Sequence, residues 1–411
     1  MAECFPTVGI IGAGTMGAGI AQVAATAGWT VELIDVDEAT VRTAIDGVHR
    51  RLDRLVEKGH LTAEQRDKTA DRLRAATGPD CFASSRLVIE AVVEDLDAKV
   101  NALRSVIRAV SNDAIIATNT SSLSISRLGQ AIGQGRRTVG MHFFNPAPLM
   151  KLVEIVRGDE TDPAVIDDAA RIATDWGKTA VRAKDTPGFI VNRVARPFYL
   201  EAWRIVQDGY APVDEIDCIM RDLGGFRMGP FELTDLIGQD VNAATTHSLW
   251  EQLDRPSRLK PSRLQIDLVE RGDLGRKTNR GAYSYEGEES IPAVAFDRRP
   301  LVASKKLQDA VRMFIDGATR QSGSELEQYV FARILAAIIN EAGWAHRDGV
   351  ASKGDIDIAM KLGTNYLTGP LEWAGQISGP RVTALLTALN ETVDDDRFSP
   401  AESSWSAVRR I

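Results

Sequence analysis

A glycine-rich segment near the start of the chain has the spacing that binds a dinucleotide. It follows the apolar run at residues 7–11 directly and leads into a helical pattern, the context that a phosphate-binding turn requires. Its first glycine permits a tight turn, its second lets the backbone approach a pyrophosphate, and its third allows a helix to pack closely on a strand. A glycine-rich turn without a ligand is the alternative interpretation. The segment consists of Gly12, Ala13, Gly14, Thr15, Met16 and Gly17.

An acidic residue indicates which dinucleotide would bind. The second apolar run, residues 30–34, ends at Asp35. A carboxylate at this point accepts hydrogen bonds from the ribose hydroxyls of NAD and repels the 2′-phosphate of NADP. Since no arginine follows directly, the sequence predicts NAD as the cofactor.

Three polar segments follow later apolar runs, at residues 118–122, 141–146 and 185–193. Ligands of an open α/β sheet bind beyond the carboxyl ends of its strands, so these segments are candidates to line one site. Oxidising an alcohol with NAD requires a base for the hydroxyl proton. His142 is the natural candidate, because histidine is the side chain that most often serves as a general base and because this residue ends an apolar run. A structural histidine is the alternative.

Glu154 lies on the next apolar run, and the turn at residues 145–148 could return it to the side of His142. A carboxylate there would fix the imidazole tautomer and stabilise the imidazolium that forms as the alcohol proton leaves. We therefore predict a His142–Glu154 dyad as the general base. A solvated glutamate on an edge strand is the alternative.

Together these segments resemble the L-3-hydroxyacyl-CoA dehydrogenase family. The motifs NTSSL, HFFNPAPLMKLVEI, DTPGFIVNR and RMGPFELTDLIG stand in the order that the family shows, across residues 1 to about 285. The resemblance implies a reversible, NAD-dependent oxidation of (S)-3-hydroxyacyl-CoA to 3-oxoacyl-CoA, as in fatty acid β-oxidation. An acyl-CoA is then the substrate.

The resemblance also implies roles that spacing alone would not assign. It gives Ser121 a hydrogen bond to the substrate oxygen and Asn192 a contact that holds the substrate near the cofactor. Serine-rich segments are otherwise usually turns, and an asparagine after an apolar run is usually a cap. Lys58, in the basic stretch of residues 42–58, would meet the substrate's coenzyme A, although a solvated helix face is the alternative. Arg51 stands where relatives carry a small hydroxyl residue, which leaves this contact open.

Three more residues match family positions that contact NAD: Glu94, Lys99 and Asn119. Glu94 and its neighbour Glu90 lie where a strand passes into a helix. An ordinary acidic cluster at a helix start, favoured by the helix dipole, is the alternative.

Short apolar runs alternate with helical patterns in the first half of the chain, which is typical of βαβ units around a parallel sheet. After about residue 184 the pattern is helical. We therefore expect an α/β Rossmann domain followed by two related all-α domains. The predicted domains are an NAD-binding domain at 1–184, a first helical copy at 185–286, a linker at 287–324 and a second helical copy at 325–411. The strands are predicted at residues 7–11, 30–34, 87–91, 114–118, 138–141 and 152–156.

The helical half contains an internal repeat. Residues 193–240 resemble residues 333–380 without a gap. Asn192 corresponds to Ala332, so the second copy is expected to be non-catalytic. The resemblance implies that single-copy relatives dimerise through this domain. We expect the second copy to form an internal pseudo-dimer with the first, and a homodimer of the whole chain stays possible.

The composition excludes several classes of protein. A formal net charge of -8 opposes nucleic-acid binding and binding to anionic membranes, which need clustered lysine and arginine. The three cysteines, Cys4, Cys81 and Cys218, form no CxxC pair, so neither a disulfide framework nor a metal site is expected. Without a secretory signal pattern or a long apolar run, the sequence predicts a cytoplasmic protein.

Two competing functions remain. A β-hydroxyacid dehydrogenase acting on a free acid shares the glycine fingerprint and a helical second domain, but its glycine-rich segment with a catalytic lysine is missing here. A non-enzymatic, NAD-binding structural protein is the other alternative. The joint presence of Ser121, His142, Glu154 and Asn192 opposes it.

Overall fold

The computed structural model describes residues 6–287 and 289–401. Over these residues the chain divides into two compact units, the first ending at Phe189 and the second beginning at Ile190. Cys81 and Cys218 are free thiols, and Cys4 lies outside the described residues. No described helix combines the length and the apolar character that crossing a membrane requires.

The first unit is built on an eight-stranded sheet. Its strands are β1 (Thr7–Ile11), β2 (Thr30–Ile34), β3 (Leu73–Ala75), β4 (Ser85–Glu90), β5 (Ile115–Thr118), β6 (Thr138–Phe143), β7 (Leu152–Arg157) and β8 (Thr179–Lys184). The strand order is β3-β2-β1-β4-β5-β6-β7-β8. The six predicted strands are present, and β3 and β8 are additions.

The sequence pattern predicted a parallel sheet, but one pair of neighbouring strands is antiparallel. Strands β6 and β7 pair antiparallel, whereas all other neighbours in this sheet are parallel. The physical reason is that the chain between β6 and β7 is too short for a helical crossover, which a parallel connection needs.

Helices cover both faces of this sheet. They are α1 (Thr15–Thr26), α2 (Glu38–Glu57), α3 (Ala63–Ala70), α4 (Leu96–Val106), α5 (Ile125–Ile132) and α6 (Pro163–Asp175), with short 3-10 turns at Pro79–Phe82 and Gly135–Arg137. Strand residues alternate between two cores: Ile10 packs with α1, α2 and α6, whereas Ile11 packs with α4 and α5. The predicted Rossmann-type fold is therefore confirmed.

In the second unit the described residues form helices and one small hairpin. Its helices are α7 (Val191–Val194), α8 (Arg196–Asp208), α9 (Val213–Asp222), α10 (Pro230–Ile237), α11 (Gln239–Gln252), α12 (Arg263–Glu270), α13 (Lys305–Ala318), α14 (Glu325–Arg347), α15 (Lys353–Gly363), α16 (Pro370–Ile377) and α17 (Gly379–Asn390). Short 3-10 turns lie at Ser257–Leu259 and Arg276–Thr278, and the hairpin pairs β9 (Tyr283–Ser284) with β10 (Ile291–Pro292).

Two features differ from the predicted domain limits. The first unit extends to Phe189 because the Asp185 carboxylate is bound to it: it accepts hydrogen bonds from the Ser126 hydroxyl at 2.7 Å and from the Ile125 amide at 3.1 Å. The stretch predicted as a linker contains helix α13, which packs on α16 and α17. Its buried residues Leu307, Ala310, Val311 and Phe314 have helical spacing, so the signal was present in the sequence.

The helices of the two copies correspond at a constant offset of 140 residues. Helix α9 begins at Val213 and α15 at Lys353, and the same offset relates the starts of α10 and α16 and of α11 and α17. A buried aspartate repeats as well: Asp217 accepts a hydrogen bond from the Phe231 amide, and Asp357 accepts one from the Leu371 amide. Each aspartate therefore caps the helix that follows it.

Reciprocal ion pairs join the two copies. The Arg193 guanidinium on α7 pairs with Glu341 at 2.7 Å, and the Arg333 guanidinium on α14 pairs with Glu201 at 2.9 Å. Both arginines and both glutamates are almost completely buried. Since the partners exchange at the 140-residue offset, this contact has the form of a two-fold symmetric interface.

Glu201 is the most heavily paired of these carboxylates. Burial by itself would raise its pKa, but the cations of Arg204, Arg333 and Arg397 outweigh burial and lower the pKa from 4.5 to about 2. The carboxylate therefore contributes stability above pH 4.5 that is lost as the pH falls toward 2.

We expect Glu201→Gln to lower the free energy of unfolding at pH 7 by about 3 to 5 kcal/mol, because buried arginines lose their carboxylate. The variant should also lose less stability than the wild type between pH 4.5 and 2. Urea denaturation across this pH range measures both effects. Glu57→Gln, at an exposed position, is the control and should match the wild type. Parallel pH profiles for the wild type and Glu201→Gln would contradict the prediction.

Candidate active site

The turn between β1 and α1 leaves an open space above the start of α1. Gly12 has a φ of +105°, and a Cβ there would lie 2.5 Å from the Ala91 carbonyl oxygen. A Cβ on Gly17 would lie 1.8 Å from the Gly12 carbonyl oxygen. The protein's own packing therefore requires both glycines, whereas a Cβ on Gly14 would meet no atom within 4 Å.

The open space at Gly14 fits a bound pyrophosphate. Gly14 is the N-cap of α1 and makes no side-chain cap hydrogen bond, and no acidic residue lies in the first turn. Thr15 is exposed and Met16 is partly exposed at the start of the helix. Amide groups and the positive end of the helix dipole face this space, and both favour a phosphate. The residues present therefore fit the dinucleotide that the sequence predicts.

Asp35, directly after β2, is bound to the same turn. Its Oδ2 accepts a hydrogen bond from the Ala13 amide at 2.6 Å, and its Oδ1 accepts one from the Val36 amide at 2.7 Å. The carboxylate is only partly buried. It therefore holds the glycine turn and remains accessible to a ribose.

A buried carboxylate missing from the predicted site lies at the end of β4. Glu90 is fully buried, and its Oε1 accepts hydrogen bonds from the Lys99 amino group at 2.9 Å and from the Val92 amide at 2.6 Å. Its Oε2 accepts one from the Thr118 hydroxyl at 2.6 Å. Lys99 is 1% exposed, so it lies beneath the surface of the site, and its contact with NAD stays a prediction.

Glu94 binds the segment that contains Ser121. Its Oε1 accepts hydrogen bonds from the amides of Ser121 at 2.8 Å and Ser122 at 3.0 Å, and from the Thr120 hydroxyl at 2.7 Å. Its Oε2 lies 3.2 Å from the Lys99 amino group. Burial would raise the pKa of Glu94, but Lys99 and these hydrogen bonds outweigh burial and lower the pKa below its usual range. Glu94 is therefore an anion that orders the Ser121 segment.

Asn119 connects this segment to the next strand. Its Oδ1 accepts a hydrogen bond from the Phe143 amide at 2.9 Å, and its own amide donates to the Glu90 carbonyl oxygen at 2.8 Å. The ends of β4, β5 and β6 are thereby held together. Asn119 has a positioning role in the structure, and its contact with NAD stays a prediction.

His142 and Glu154 stand opposite each other in the antiparallel ladder of β6 and β7. The distance between His142 Nδ1 and Glu154 Oε2 is 2.7 Å, and Glu154 is fully buried. The rings of Phe144 and Phe189 lie 4.5 and 5.9 Å from the imidazole, between ring centroids. A carboxylate at this distance favours the tautomer with the proton on Nδ1, in which Nε2 is the hydrogen-bond acceptor.

A lysine that the sequence did not single out holds the loop between these strands. The Lys178 amino group donates to the carbonyl oxygens of Ala147 at 2.6 Å and Met150 at 2.8 Å. Burial lowers its pKa. A single lysine ahead of a strand carries no sequence signal of such a contact, so only the folded chain reveals it.

Three other residues from the sequence analysis are Lys58, Arg51 and Asn192. Lys58 is exposed at the end of α2, and Arg51 donates from Nε to the Gln22 side chain at 2.8 Å. Asn192 belongs to α7 in the second unit, where its carbonyl oxygen accepts a hydrogen bond from Arg196. Contacts of Lys58 and Asn192 with a substrate stay predictions. Within the described residues, no group of three or more histidine, cysteine or acidic side chains is placed to hold a metal ion.

Comparison with known proteins identifies both units. Residues 7–186 match the NAD binding domain of 3-hydroxyacyl-CoA dehydrogenase, and residues 188–285 and 329–410 match the C-terminal domain of 3-hydroxyacyl-CoA dehydrogenase. The second match covers both helical copies.

Similar proteins extend over nearly the whole chain. The 3-hydroxyadipyl-CoA dehydrogenase of Escherichia coli K12 is 39% identical, with 96% of this chain and 95% of the relative covered. A crystal structure of 3-hydroxybutyryl-CoA dehydrogenase from Escherichia coli K12 is 37% identical, with a TM-score of 0.86 and 96% of each chain covered. The 3-hydroxybutyryl-CoA dehydrogenase of Bradyrhizobium diazoefficiens is 39% identical and matches 71% of this chain with 99% of its own length.

The open space at Gly14 leads to a test of dinucleotide binding. Gly14→Ala should fold normally, because its Cβ meets no protein atom and its φ of −67° is allowed for alanine. The methyl group would occupy the space for the pyrophosphate and weaken NADH binding roughly tenfold or more, about 1.4 kcal/mol. Fluorescence titration with NADH measures the affinity. Gly375→Ala, also free of close neighbours, is the control. An unchanged affinity in Gly14→Ala would argue against a phosphate at this turn.

Proposed function

Because the chain belongs to the 3-hydroxyacyl-CoA dehydrogenase family, we propose that it oxidises (S)-3-hydroxyacyl-CoA to 3-oxoacyl-CoA with NAD, reversibly, and that His142 and Glu154 carry the proton. The observation that supports these roles is the buried contact of 2.7 Å between His142 Nδ1 and Glu154 Oε2. The family names supply the substrate class, and the pair supplies the base that such an oxidation needs.

The proton transfer follows from the tautomer. When Glu154 holds the proton on Nδ1, the Nε2 atom of His142 has a free lone pair and accepts the proton of the substrate hydroxyl. The imidazolium that forms then lies against a carboxylate in a water-poor environment, which stabilises it. In the reverse direction the same nitrogen returns the proton to the oxygen of the 3-oxo group.

The cofactor and the substrate oxygen require separate positioning. Bound NAD supplies the acceptor for the hydride that leaves the substrate carbon. Gly14 and Asp35 would hold its pyrophosphate and ribose. Ser121, ordered by Glu94, would donate a hydrogen bond to the substrate oxygen, and Asn192 would hold the substrate near the cofactor. These roles rest on the family resemblance together with the contacts described above.

Neither competing function is favoured. An enzyme for free β-hydroxyacids would not need coenzyme A, whereas the relatives named above act on thioesters by their names. A structural NAD-binding protein would have no use for a buried imidazole–carboxylate pair. The cytoplasmic location predicted from the sequence stays a prediction.

We further propose that the second helical copy replaces a partner subunit. The exchange of ion-pair partners between Arg193 and Arg333 supports this, because a two-fold interface between identical domains would show the same exchange. The relative from Bradyrhizobium diazoefficiens, which matches only 71% of this chain, supports it as well. A homodimer of the whole chain stays open.

We expect His142→Gln to lower kcat for NADH-dependent reduction of acetoacetyl-CoA by about 10²- to 10⁴-fold, because general base and acid catalysis is lost. Affinity for NADH should not change. Absorbance of NADH measures the rate, and His247→Gln, at an exposed position, is the control. A variant with wild-type kcat would remove His142 from the mechanism.

The same assay with free acetoacetate tests the substrate class. Consumption of free acetoacetate but not of its thioester would favour the free-acid alternative.

Deleting residues 288–411 tests the pseudo-dimer. The truncated chain exposes the face of α8 that packs against α14, including Glu201, so we expect it to self-associate as a dimer. Light scattering after size-exclusion chromatography measures its mass. A soluble monomer with unchanged activity would show that the second copy is dispensable and would contradict the proposal.

A further inference from the structure

One buried arginine in the first helical copy has no acidic partner in the part of the chain that the structure describes. Arg196, at the start of α8, is 5% exposed. Its Nε donates to the Asn192 carbonyl oxygen at 2.8 Å, and its Nη1 lies 3.3 Å from both the Asn242 carbonyl oxygen and the Thr246 hydroxyl. Among the described residues, no carboxylate lies within ion-pair distance of it. A buried cation without a compensating negative charge is unfavourable, so an anion bound beside Arg196 would stabilise it.

Buried hydrogen-bond donors without acceptors accompany this cation. The Tyr366 hydroxyl is buried and has no hydrogen-bond partner among the described residues. Asn242, whose main-chain carbonyl oxygen accepts from Arg196, likewise has a buried side-chain Nδ2 without a described partner. Unsatisfied buried donors are rare in folded proteins. The Tyr366 hydroxyl lacks an acceptor, and an anion beside Arg196 would supply one.

Two tyrosines lie beside Arg196. The Arg196 guanidinium carbon is 4.9 Å from the centroid of the Tyr199 ring, and Tyr366 is close enough to interact electrostatically with both. Burial raises the pKa of both tyrosines. Both hydroxyls therefore keep their protons at neutral pH and act as donors to an anion.

This cluster is not part of the repeat. At the 140-residue offset, Arg196 corresponds to Ala336, and Tyr366 corresponds to Phe226. Arg196 therefore belongs to the catalytic copy alone, whereas Tyr366 is contributed by the second copy. The Tyr366 ring packs 4.8 Å from the Phe226 ring, between centroids. A feature that both copies needed for folding would appear in both, so the symmetric interface does not explain this cluster.

The cluster lies one helical turn from Asn192, the residue proposed to hold the substrate near the cofactor. Arg196 is four residues after Asn192 and binds its carbonyl oxygen. One turn spans about 5 Å, which is similar to the distance from C3 to the end of a six-carbon acyl chain. A negative group at the end of such a chain would reach the guanidinium.

We propose that Arg196, Tyr199 and Tyr366 recognise a terminal carboxylate on the acyl chain, so that the substrates are thioesters of dicarboxylic acids. This proposal rests on the proposed function, because it uses Asn192 as a contact for the substrate. Arg196 and the tyrosine hydroxyls donate to the carboxylate, which supplies a counter-charge. The name of the Escherichia coli relative, 3-hydroxyadipyl-CoA dehydrogenase, describes a substrate of this class.

Two thioesters that differ only at the last carbon test the proposal. We compare kcat/KM for NADH-dependent reduction of 3-oxoadipyl-CoA, which ends in a carboxylate, and 3-oxohexanoyl-CoA, which ends in a methyl group. The wild type should favour the carboxylate roughly tenfold or more, the effect of a hydrogen bond to a charged group. Arg196→Met should lose this preference. Tyr366→Phe, which removes one oxygen atom, should reduce it several-fold with little effect on 3-oxohexanoyl-CoA.

The ratio of the two kcat/KM values separates recognition from structure. Arg196 could instead serve only to join α7 to α11, in which case Arg196→Met would impair both thioesters equally and overturn the proposal. If Arg196→Met does not fold, Tyr366→Phe decides the matter by the same ratio, with Tyr210→Phe, outside the cluster, as control. Equal turnover of both thioesters by the wild type would overturn this proposal alone. Turnover of neither would overturn the proposed function as well.

Discussion

The antiparallel pairing of β6 and β7 is the constraint on which the proposed catalytic pair, His142 and Glu154, depends. A parallel pairing of these two strands would have required a long crossover connection, usually a helix, between His142 and Glu154. The short hairpin instead sets Glu154 directly opposite His142, at 2.7 Å. Lys178 then holds the loop by two carbonyl oxygens. One reversal of strand direction therefore produces the imidazole–carboxylate pair, and backbone ladder bonds hold it in place before any ligand binds.

Ion pairs beneath the carboxyl edge of the sheet also hold the site residues in place. Glu90 and Lys99 are buried together, and removing either would leave an uncompensated charge in the core. Lys99 also contacts Glu94, which in turn accepts hydrogen bonds from the Ser121 segment. The polar groups of the site are thus oriented by fixed partners rather than by solvent. Such preorganisation lowers the cost of stabilising charge when a reaction takes place.

The helical unit uses its repeat for two different purposes. Symmetric parts, such as the exchange between Arg193 and Arg333, make an interface of the kind that joins identical subunits. Other positions differ in chemistry between the copies: Arg196 corresponds to Ala336, and Phe226 corresponds to Tyr366. Duplication within one chain permits this, because the two copies can change independently, whereas identical subunits cannot. The second copy has Ala332 at the position of Asn192, and its Tyr366 packs against Phe226 of the first copy.

The sequence by itself determined the glycine turn, the choice of NAD, the strands that carry the site and the repeat of 140 residues, because these follow from local spacing and self-similarity. Residue types at motif positions also identified His142 and Glu154. Only the tertiary structure decided that Lys99 is buried with Glu90 and that Asp185 is bound to the first unit. It also decided that Arg196 has no carboxylate partner within residues 6–287 and 289–401. The physical reason is that burial and charge pairing join residues distant in the chain, and neither is encoded in the local pattern around a single lysine, aspartate or arginine.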